Sequence, residues 1–398
     1  MIKAIKVMLI PNNMQSTKMF QYADAARFAY NWALAKEKES YEKDGKFLSD
    51  SELRKEFTRL RHSDEYAWLQ SISNNVTKQA IKDACIAYKN FFKGLQKYPR
   101  FKSKKKSTPK FYQDSVGIKF TETHVKFESF SSSNRANKQK LNWVRLAEHC
   151  RIPVGAKYMN PRISFDGLNW WISVCVEFPD CKETLSGAGI GIDLGIKDLA
   201  ICSDGNIYKN INKTNKVKKL EKRKRRLQRS VSRKYLMNNK DTINKNNKSK
   251  KKGKYCKTNN IVKSEKLLLR VNQRLTNIRK NYLHQTTSEI INRKPRFICI
   301  EDLNVSGMMK NRHLSKAVQN QGFFEFRKQL EYKCNEHGIK LIVADRFYPS
   351  SKLCSYCGNI KKDLGLSDRV YRCECGNVID RDFQAALNLR AYGEKFAS

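Results

Sequence analysis

The sequence predicts an α+β protein built from several domains, and three observations support this prediction. The chain has 398 residues, of which 40% are hydrophobic, and this is enough apolar material for two or three packed cores. Helical periodicity dominates residues 16–95, whereas the alternation typical of strands takes over between residues 116 and 176. Short apolar runs and helical patterns both recur after residue 188, where a cluster of four cysteines also lies.

The N-terminal part begins with one strand and continues with helices. Residues 2–10 alternate between apolar and polar, which predicts a strand. Helical patterns follow over residues 16–44, 50–61 and 73–95. The second of them begins at the capping box Ser49–Glu52. We expect these helices to form one small helical unit.

Strand patterns return after a basic, proline-containing loop at residues 98–113. They cover residues 116–120, 125–127, 143–146, 162–165 and 170–176. The turn signal Asp166-Gly167 joins the last two strands into a hairpin. Together with the N-terminal strand, these segments predict a small β-barrel that the helical unit interrupts.

The charge of the chain predicts a polyanionic partner. Lysine and arginine number 80 against 38 acidic residues, which gives a formal net charge of +42. A membrane surface is the competing partner, but no apolar run approaches ~18 residues and no signal-peptide pattern opens the chain. Eight cysteines are scattered without a pairing pattern, as expected in a reducing cytosol, so we predict a cytoplasmic protein. They are Cys85, Cys150, Cys175, Cys181, Cys202, Cys256, Cys299 and Cys334.

Two segments are candidates for contact with that polyanion. Residues 216–234 have the pattern of a basic amphipathic helix, whose densest charge lies at Lys222, Arg223, Lys224, Arg225 and Arg226. Solvation explains part of this charge, but repulsion among so many like charges favours a bound phosphate backbone. The helix at 73–95 carries a polar stripe at Asn75, Lys78, Gln79 and Lys82. A solvated face and a surface that reads a DNA groove explain this stripe equally well.

The rest of the second half alternates between loop, helix and strand patterns. An Asn/Lys-rich loop is predicted at residues 236–260, with helices over 264–292 and 314–337 and a strand at 341–344.

Three carboxylates follow apolar runs or open a helix. Asp193 ends an apolar strand pattern, and Glu301 directly follows the apolar run 297–300. Asp382 falls in the first turn of an Ala/Leu-rich helix that Asp380 is placed to cap. Each of the three alone is more often a turn or cap residue. Together, with no histidine beside them, they indicate oxygen ligands for hard divalent cations.

Four cysteines form a pattern of metal ligands. Cys354 and Cys357 make one pair, Cys373 and Cys375 make the other, and 15 residues separate the pairs. Close pairs at this separation, each followed by glycine, are typical of a structural zinc site, with an Fe–S cluster as the minor alternative. The second pair is one residue shorter than usual. Because four thiolates leave no open position on the metal, we expect the cluster to brace the junction before Asp382.

These motifs together resemble the transposon-encoded TnpB (OrfB) family, relatives of the type V CRISPR effector nucleases. The matching segments are GIDLGIKDLA, FICIEDLNVSGM, NRHLSKAVQNQGFFEFRKQLEYK, YPSSKLCSYCG and DRDFQAALNL, which cover most of residues 189–392. The resemblance implies a RuvC-like nuclease on an RNase H-type fold, with Asp193, Glu301 and Asp382 as the catalytic triad holding two Mg²⁺ ions. Asp382 is preferred to Asp380 because the family's acidic residue lies two before an Asn-Ala-Ala element. Gln384 replaces that asparagine here.

The resemblance also implies a domain organisation. A barrel (wedge) domain would comprise residues 1–15 and 98–183, with a helical recognition domain at 16–97. The nuclease domain would comprise residues 188–350 and 379–398, with a zinc ribbon inserted at 351–378.

The function that the resemblance implies is RNA-guided cleavage of double-stranded DNA, associated with a transposon. A guide RNA would supply the sequence specificity, and the protein would recognise a short DNA motif beside the target. A miniature type V CRISPR effector would share every motif. A guided DNA-binding repressor that does not cleave is the alternative from another class, but such relatives lose triad carboxylates, and all three are present here.

Overall fold

The computed structural model describes residues 1–128, 142–179, 184–185, 187–239, 257–365 and 368–397. The chain divides into two compact units, Met1–Pro179 and Asp180–Ser398, and both combine helices with sheets. The α+β class is thereby confirmed. The finer domain boundaries stay a prediction.

One seven-stranded antiparallel sheet organises the first unit. Its strands are β1 (Ile2–Ile10), β2 (Lys110–Tyr112), β3 (Lys119–Phe120), β4 (His124–Lys126), β5 (Trp143–Leu146), β6 (Tyr158–Phe165) and β7 (Trp170–Glu177). Their order is β2-β6-β7-β1-β5-β4-β3, so the N-terminal strand lies in the middle. The predicted hairpin turn is present, because the Asp166 carboxylate accepts hydrogen bonds from the backbone of Leu168 and Asn169.

Three predictions about the strands of this unit were inaccurate. Strand β6 begins at Tyr158, four residues before the predicted start at residue 162. The strand predicted at 116–120 is limited to β3, because residues 115–117 form a turn and Val116 is exposed. The loop predicted at 98–113 contains β2, which pairs with β6 and buries Phe111.

Three helices pack in the first unit, as predicted: α1 (Asn13–Asp44), α2 (Asp50–Arg61) and α3 (Asn74–Phe92). Helix α1 begins three residues earlier than expected, because Asn12 and Gln15 form a capping box that the sequence interpretation missed. The predicted capping box of Ser49 and Glu52 opens α2. A 3-10 helix at Asp64–Ser71 was not predicted.

A five-stranded sheet organises the second unit. Its strands are β8 (Ile190–Leu194), β9 (Asp198–Cys202), β10 (Ile207–Lys209), β11 (Phe297–Glu301) and β12 (Lys340–Ala344). Their order is β10-β9-β8-β11-β12. The first three strands form an antiparallel meander, whereas β11 runs parallel to both β8 and β12. This mixed order brings the carboxyl ends of β8 and β11 to the same edge of the sheet.

The second unit contains helices α4 (Asn215–Asn238), α5 (Asn259–Asn292), α6 (Val305–Met308), α7 (Ser315–Gln321), α8 (Phe323–His337) and α9 (Arg381–Phe396). The single helix predicted at 314–337 is wrong, because Gly322 adopts a left-handed backbone conformation (φ 72°) that ends α7 before α8 begins. Of the loop predicted at 236–260, residues 240–256 lie outside the described residues. Helix α4 continues to Asn238, and α5 begins at Asn259.

Helices α4 and α5 pack through a narrow apolar seam. Val217 and Leu220 of α4 are buried against Val271 and Leu275 of α5. Among the described residues, no helix is long and apolar enough to cross a membrane.

A buried lysine joins α8 to α5. The Lys333 ammonium group donates hydrogen bonds to the His284 carbonyl and to the hydroxyls of Thr287 and Ser288, at 2.7–2.9 Å. Burial lowers the pKa of Lys333 to about 8.

Candidate active site and metal centre

The register of two parallel strands places Asp193 beside Glu301. Ile192 of β8 lies opposite Ile300 of β11, so the next residue on each strand is a carboxylate. Both strands are apolar and buried up to that point, and the first charged residue of each lies in its last two positions. An apolar run that ends in one carboxylate in the sequence therefore corresponds to a buried strand with a charged residue at its carboxyl end.

Helix α9 covers the face of the sheet on which both carboxylates lie. A Cβ atom added at Gly191 would lie 2.1 Å from the Ala386 carbonyl oxygen of α9, so Gly191 faces this helix. Side chains two apart on a strand share a face, which puts Asp193 on the helix side too. A Cβ added at Gly393 of α9 would lie 3.0 Å from the Cys299 Cβ, and the same alternation places Glu301 on that side.

Asp382 lies in the first turn of α9, close enough to Asp193 for its charge to act on that carboxylate. The Asp380 carboxylate caps the helix by accepting hydrogen bonds from the backbone N–H groups of Asp382 and Phe383, both at 3.0 Å. Asp380 thus has a structural task, whereas the Asp382 carboxylate takes no part in capping. Its nearest described cation is Arg369, at 3.9 Å. This division of roles supports the choice of Asp382 over Asp380.

The three carboxylates repel one another electrostatically. Burial raises the pKa of Asp193 well above its usual range, and the charges of Glu301 and Asp382 raise it further. Burial also raises the pKa of Glu301, while a hydrogen bond donated by the Ser350 hydroxyl opposes this rise. Asp193, Glu301 and Asp382 all keep some exposed surface. Such a set is stabilised by a cation that solvent can deliver.

Ser350 and Arg381 support the carboxylates and were missed by sequence reasoning. Ser350 is 5% exposed, and its hydroxyl donates to Glu301. The Arg381 charge lowers the pKa of both Asp193 and Glu301. The available signals were the YPSSK segment before the first cysteine pair and the arginine between Asp380 and Asp382.

The four predicted cysteines come together. The sulfur atoms of Cys354 and Cys375 are 3.7 Å apart, and those of Cys357 and Cys373 are 3.6 Å apart. Tetrahedral zinc with Zn–S bonds of ~2.3 Å requires sulfur separations of about 3.8 Å. Within the described ranges, this is the only group of three or more His, Cys, Asp or Glu side chains placed to hold one metal ion.

Two backbone turns shape the cysteine cluster. The N–H of Gly358 donates to the Cys354 carbonyl, and the N–H of Gly376 donates to the Cys373 carbonyl, both at 3.0 Å. Both glycines have positive φ angles, 76° and 89°, which other residues rarely adopt. The second turn is one residue shorter but still closes. Strands β13 (Val370–Arg372) and β14 (Val378–Asp380) form the hairpin that carries it.

Buried amides fasten the first cysteine turn to α9. The Leu353 carbonyl accepts hydrogen bonds at 2.7 Å from the side chains of both Gln384 and Asn388. The Ser355 hydroxyl donates to the Gln384 side chain at 2.9 Å. Gln384 and Asn388 are 0% and 2% exposed. The departure of Gln384 from the family's asparagine therefore leaves the helix start intact, since Asp380 supplies the cap.

The structure separates the members of the polar stripe on α3. Asn75 and Gln79 are partly buried and donate hydrogen bonds to Glu128 and Asp83. Lys78 and Lys82 are exposed.

The basic segment of α4 points largely to solvent. Lys222, Arg223, Arg225 and Arg226 are exposed, and Lys224 is partly exposed. In the described part of the chain, none of these five side chains forms an ion pair, although Glu221 beside them pairs with Arg279 at 2.9 Å.

The fold and the site together define a class of protein. The strand order β10-β9-β8-β11-β12, with α9 packed beside three carboxylates at one sheet edge, is the RNase H-like arrangement that the resemblance implied. Three family models match the chain: "Probable transposase" of the IS605 OrfB family over residues 173–312, "Cas12f1-like, TNB domain" over 323–389 and "Helix-turn-helix domain" over 1–46. Over residues 1–46 the structure has one strand and one long helix.

The chain belongs to the TnpB (OrfB) family. It is 30% identical to a protein of Streptomyces pristinaespiralis named "Putative RNA-guided DNA endonuclease", over 98% of this chain and 89% of that relative. It is 28% identical to "Putative RNA-guided DNA endonuclease InsQ" of Escherichia coli, over 98% and 92%.

Solved structures share the fold. The "Cryo-EM structure of the Cas12f1-sgRNA-target DNA complex" matches 98% of both chains with a TM-score of 0.60 at 11% identity. The "Structure of the mini-RNA-guided endonuclease CRISPR-Cas_phi3" matches with a TM-score of 0.52, also at 11% identity, over 100% of this chain and 93% of that one.

Proposed function

We propose that this protein is a transposon-associated RNA-guided DNA endonuclease that hydrolyses phosphodiester bonds at Asp193, Glu301 and Asp382. The observation that carries the proposal is the register of β8 and β11, which sets two carboxylates side by side opposite the first turn of α9. The names of the full-length relatives support the same activity.

The three residues fit Mg²⁺ as ligands. They offer hard oxygen donors on residues that keep some exposed surface, and their mutual repulsion is the kind that divalent cations relieve. A pair of such ions, held by carboxylates, is the arrangement with which nucleases hydrolyse phosphodiester bonds. Bound Mg²⁺ would lower the pKa of a coordinated water and neutralise charge that develops on the phosphate.

The protein's own groups would hold this arrangement in place. The Ser350 hydroxyl donates to Glu301 and orients its carboxylate. Asp380 fixes the first turn of α9, and with it the position of Asp382. The Arg381 charge keeps Asp193 and Glu301 more readily ionised than burial alone would allow. Ionised carboxylates are the form that binds a cation.

We assign one structural zinc ion to Cys354, Cys357, Cys373 and Cys375. The sulfur separations suit tetrahedral zinc, and four thiolates complete its coordination. The site therefore supports α9 and takes no part in the hydrolysis.

The exposed charge of α4 supports a guide RNA as partner. The first turns of α4 border a groove of about 420 Å³. Its lining includes the cationic side chains of Lys218, Lys222, Arg225 and Lys316. Unpaired cations around a groove suit a phosphate backbone, because each contact releases condensed counterions. Lys78 and Lys82 on α3 remain candidates for contact with target DNA.

Replacement of the carboxylates tests the function. Asp193→Ala, Glu301→Ala and Asp382→Ala should each abolish Mg²⁺-dependent cleavage of guide-matched DNA, while binding of the copurified RNA stays intact. Asp380→Ala is the matched control, since it removes a cap worth ~1 kcal/mol and should leave measurable cleavage. Full cleavage by Asp382→Ala together with an inactive Asp380→Ala would refute the assignment.

A further inference from the structure

A second cavity adjoins the proposed catalytic carboxylates. It encloses about 390 Å³, within the range of ~300–1,000 Å³ typical of small-molecule sites. Glu301 lines it, so a molecule in this cavity would lie next to the residue that we propose as a metal ligand. The other walls include Leu194, Leu303, Phe324, Arg327 and Arg346.

Phe324 gives this cavity an exposed aromatic ring. Phe323 and Phe324 begin α8, and the first is 3% exposed whereas the second is 71% exposed. Isolated apolar side chains are common on protein surfaces, so exposure alone does not indicate a site. Here, however, the ring borders the same cavity as two guanidinium groups and a proposed catalytic carboxylate. An aromatic face beside positive charge is the combination with which proteins hold single-stranded nucleic acid.

Asp302 holds the two guanidinium groups in place. Its two carboxylate oxygens accept from Arg327 at 3.0 Å and from Arg346 at 2.5 Å. Arg327 also donates to Glu331 at 3.1 Å. Each guanidinium carries five N–H donors, so both arginines keep donors for another partner. Their side chains are 37% and 50% exposed, which leaves these donors accessible to a phosphate group.

We propose that this cavity binds one unpaired nucleotide of the DNA strand being cut, adjacent to the bond that is hydrolysed. The base stacks on Phe324, and Arg327 and Arg346 bind the neighbouring phosphate. The nucleotide must be unpaired, because a base within a duplex has no free face for the ring. Stacking accepts any base, which fits an enzyme whose sequence specificity comes from a guide. Phe324 and the two arginines are then positioning residues for the proposed nuclease, and this inference rests on that function.

The test compares Phe324→Ala with Phe324→Trp and Phe396→Ala. Phe396 is a matched control, because it is 52% exposed and lies about 21 Å along α9 from Asp382. Each full-length protein, with its copurified RNA, cleaves matched DNA under single-turnover conditions. We expect Phe324→Ala to slow cleavage by about 5- to 150-fold, the effect of losing one base–aromatic stack. Phe324→Trp should restore the rate, and Phe396→Ala should not change it.

A second measurement separates stacking from a general structural defect. Abasic nucleotides are placed in turn on either side of the mapped cut. For the wild-type protein, one such position should slow cleavage, and for Phe324→Ala the same position should have no additional effect.

The outcomes distinguish this subsite from the nuclease function itself. If wild type cleaves, Asp193→Ala does not, and Phe324→Ala retains both the wild-type rate and full abasic sensitivity, the subsite is refuted while the nuclease stands. If wild type fails to cleave matched DNA at all, both proposals fall.

Discussion

Gly191 offers a sharp test of how the site is assembled. It lies in β8 two residues before Asp193, and α9 packs directly on it. A Cβ atom there would lie 2.1 Å from the Ala386 carbonyl oxygen and 2.3 Å from the Arg390 nitrogen. Both are backbone atoms of α9, so no side-chain rotation can relieve the contact. Gly191→Ala must therefore move the helix away from the strand.

The size of that movement follows from the contact. Cβ atoms essentially never approach other atoms closer than 3.0 Å, so the contact at 2.1 Å must lengthen by at least 3.0 − 2.1 = 0.9 Å. Overpacking of this kind costs about 1–3 kcal/mol of folding free energy. Displacement of a reacting group by about 1 Å costs on the order of 10²-fold in rate. Because Asp382 moves with α9 whereas Asp193 stays with β8, we expect cleavage to fall by about two orders of magnitude.

The assays are chemical denaturation and single-turnover cleavage of matched DNA. Gly187→Ala is the control, because no atom lies within 4 Å of the Cβ that it would add. We expect the control to match wild type in both measurements. A Gly191→Ala protein with wild-type cleavage rate and stability would refute the close packing of α9 on β8 as the basis of the site.

Three further predictions concern other parts of the second unit. Elemental analysis should find about one zinc per chain, and Cys354→Ser or Cys375→Ser should lower both zinc content and folding yield; a folded, zinc-free wild type that cleaves normally would contradict the structural role. Replacing Arg223, Arg225 and Arg226 with Gln should weaken RNA binding and flatten its salt dependence by about two units, because each phosphate contact contributes ~0.7–0.9; an unchanged affinity and slope would make α4 a solvated helix. Lys333 should make the free energy of unfolding rise as pH increases from about 8 towards its unfolded-state pKa of ~10.4, since the unfolded chain binds the proton more tightly there. Chemical denaturation of wild type and Lys333→Met at several pH values should show this rise only in wild type. An identical pH profile for the two proteins would show that Lys333 does not cause it.

The sequence predicted what depends on local pattern. The apolar runs before Asp193 and Glu301 are buried strands, and the capping box at Ser49 opens a helix as expected. Cysteine spacing also predicted which four side chains come together. Each of these features follows from a local sequence signal: a hydrophobic pattern, a helix-capping motif or a characteristic spacing of metal ligands.

Features that depend on distant neighbours could not be predicted in this way. The break at Gly322 was missed, because apolar spacing continues across it and a single glycine is tolerated within many helices. Ser350 resembles any loop serine until β11 places Glu301 beside it. The polar stripe on α3 showed no sign that Asn75 bonds to Glu128, which lies 53 residues further along the chain. Pairing β8 with β11 required more than 100 intervening residues to be arranged first.

The carbonyl of Leu353 gives the proposed zinc site an influence on the proposed catalytic site. This residue directly precedes Cys354, and its carbonyl is shared by two buried amides of α9, the helix that carries Asp382. Loss of the metal would free this turn and take the Leu353 carbonyl away from both amides. Asn388 would keep its hydrogen bond to the Ser350 carbonyl, whereas the buried Gln384 amide would lose its acceptor at a cost of about 1–3 kcal/mol. Thermodynamic coupling is reciprocal, so whatever fixes α9 at the sheet edge must also tighten the hold on zinc. Binding of Mg²⁺ at the carboxylates and retention of zinc at the cysteines should therefore increase or decrease together. The supply of zinc would then determine what fraction of the enzyme can cleave DNA.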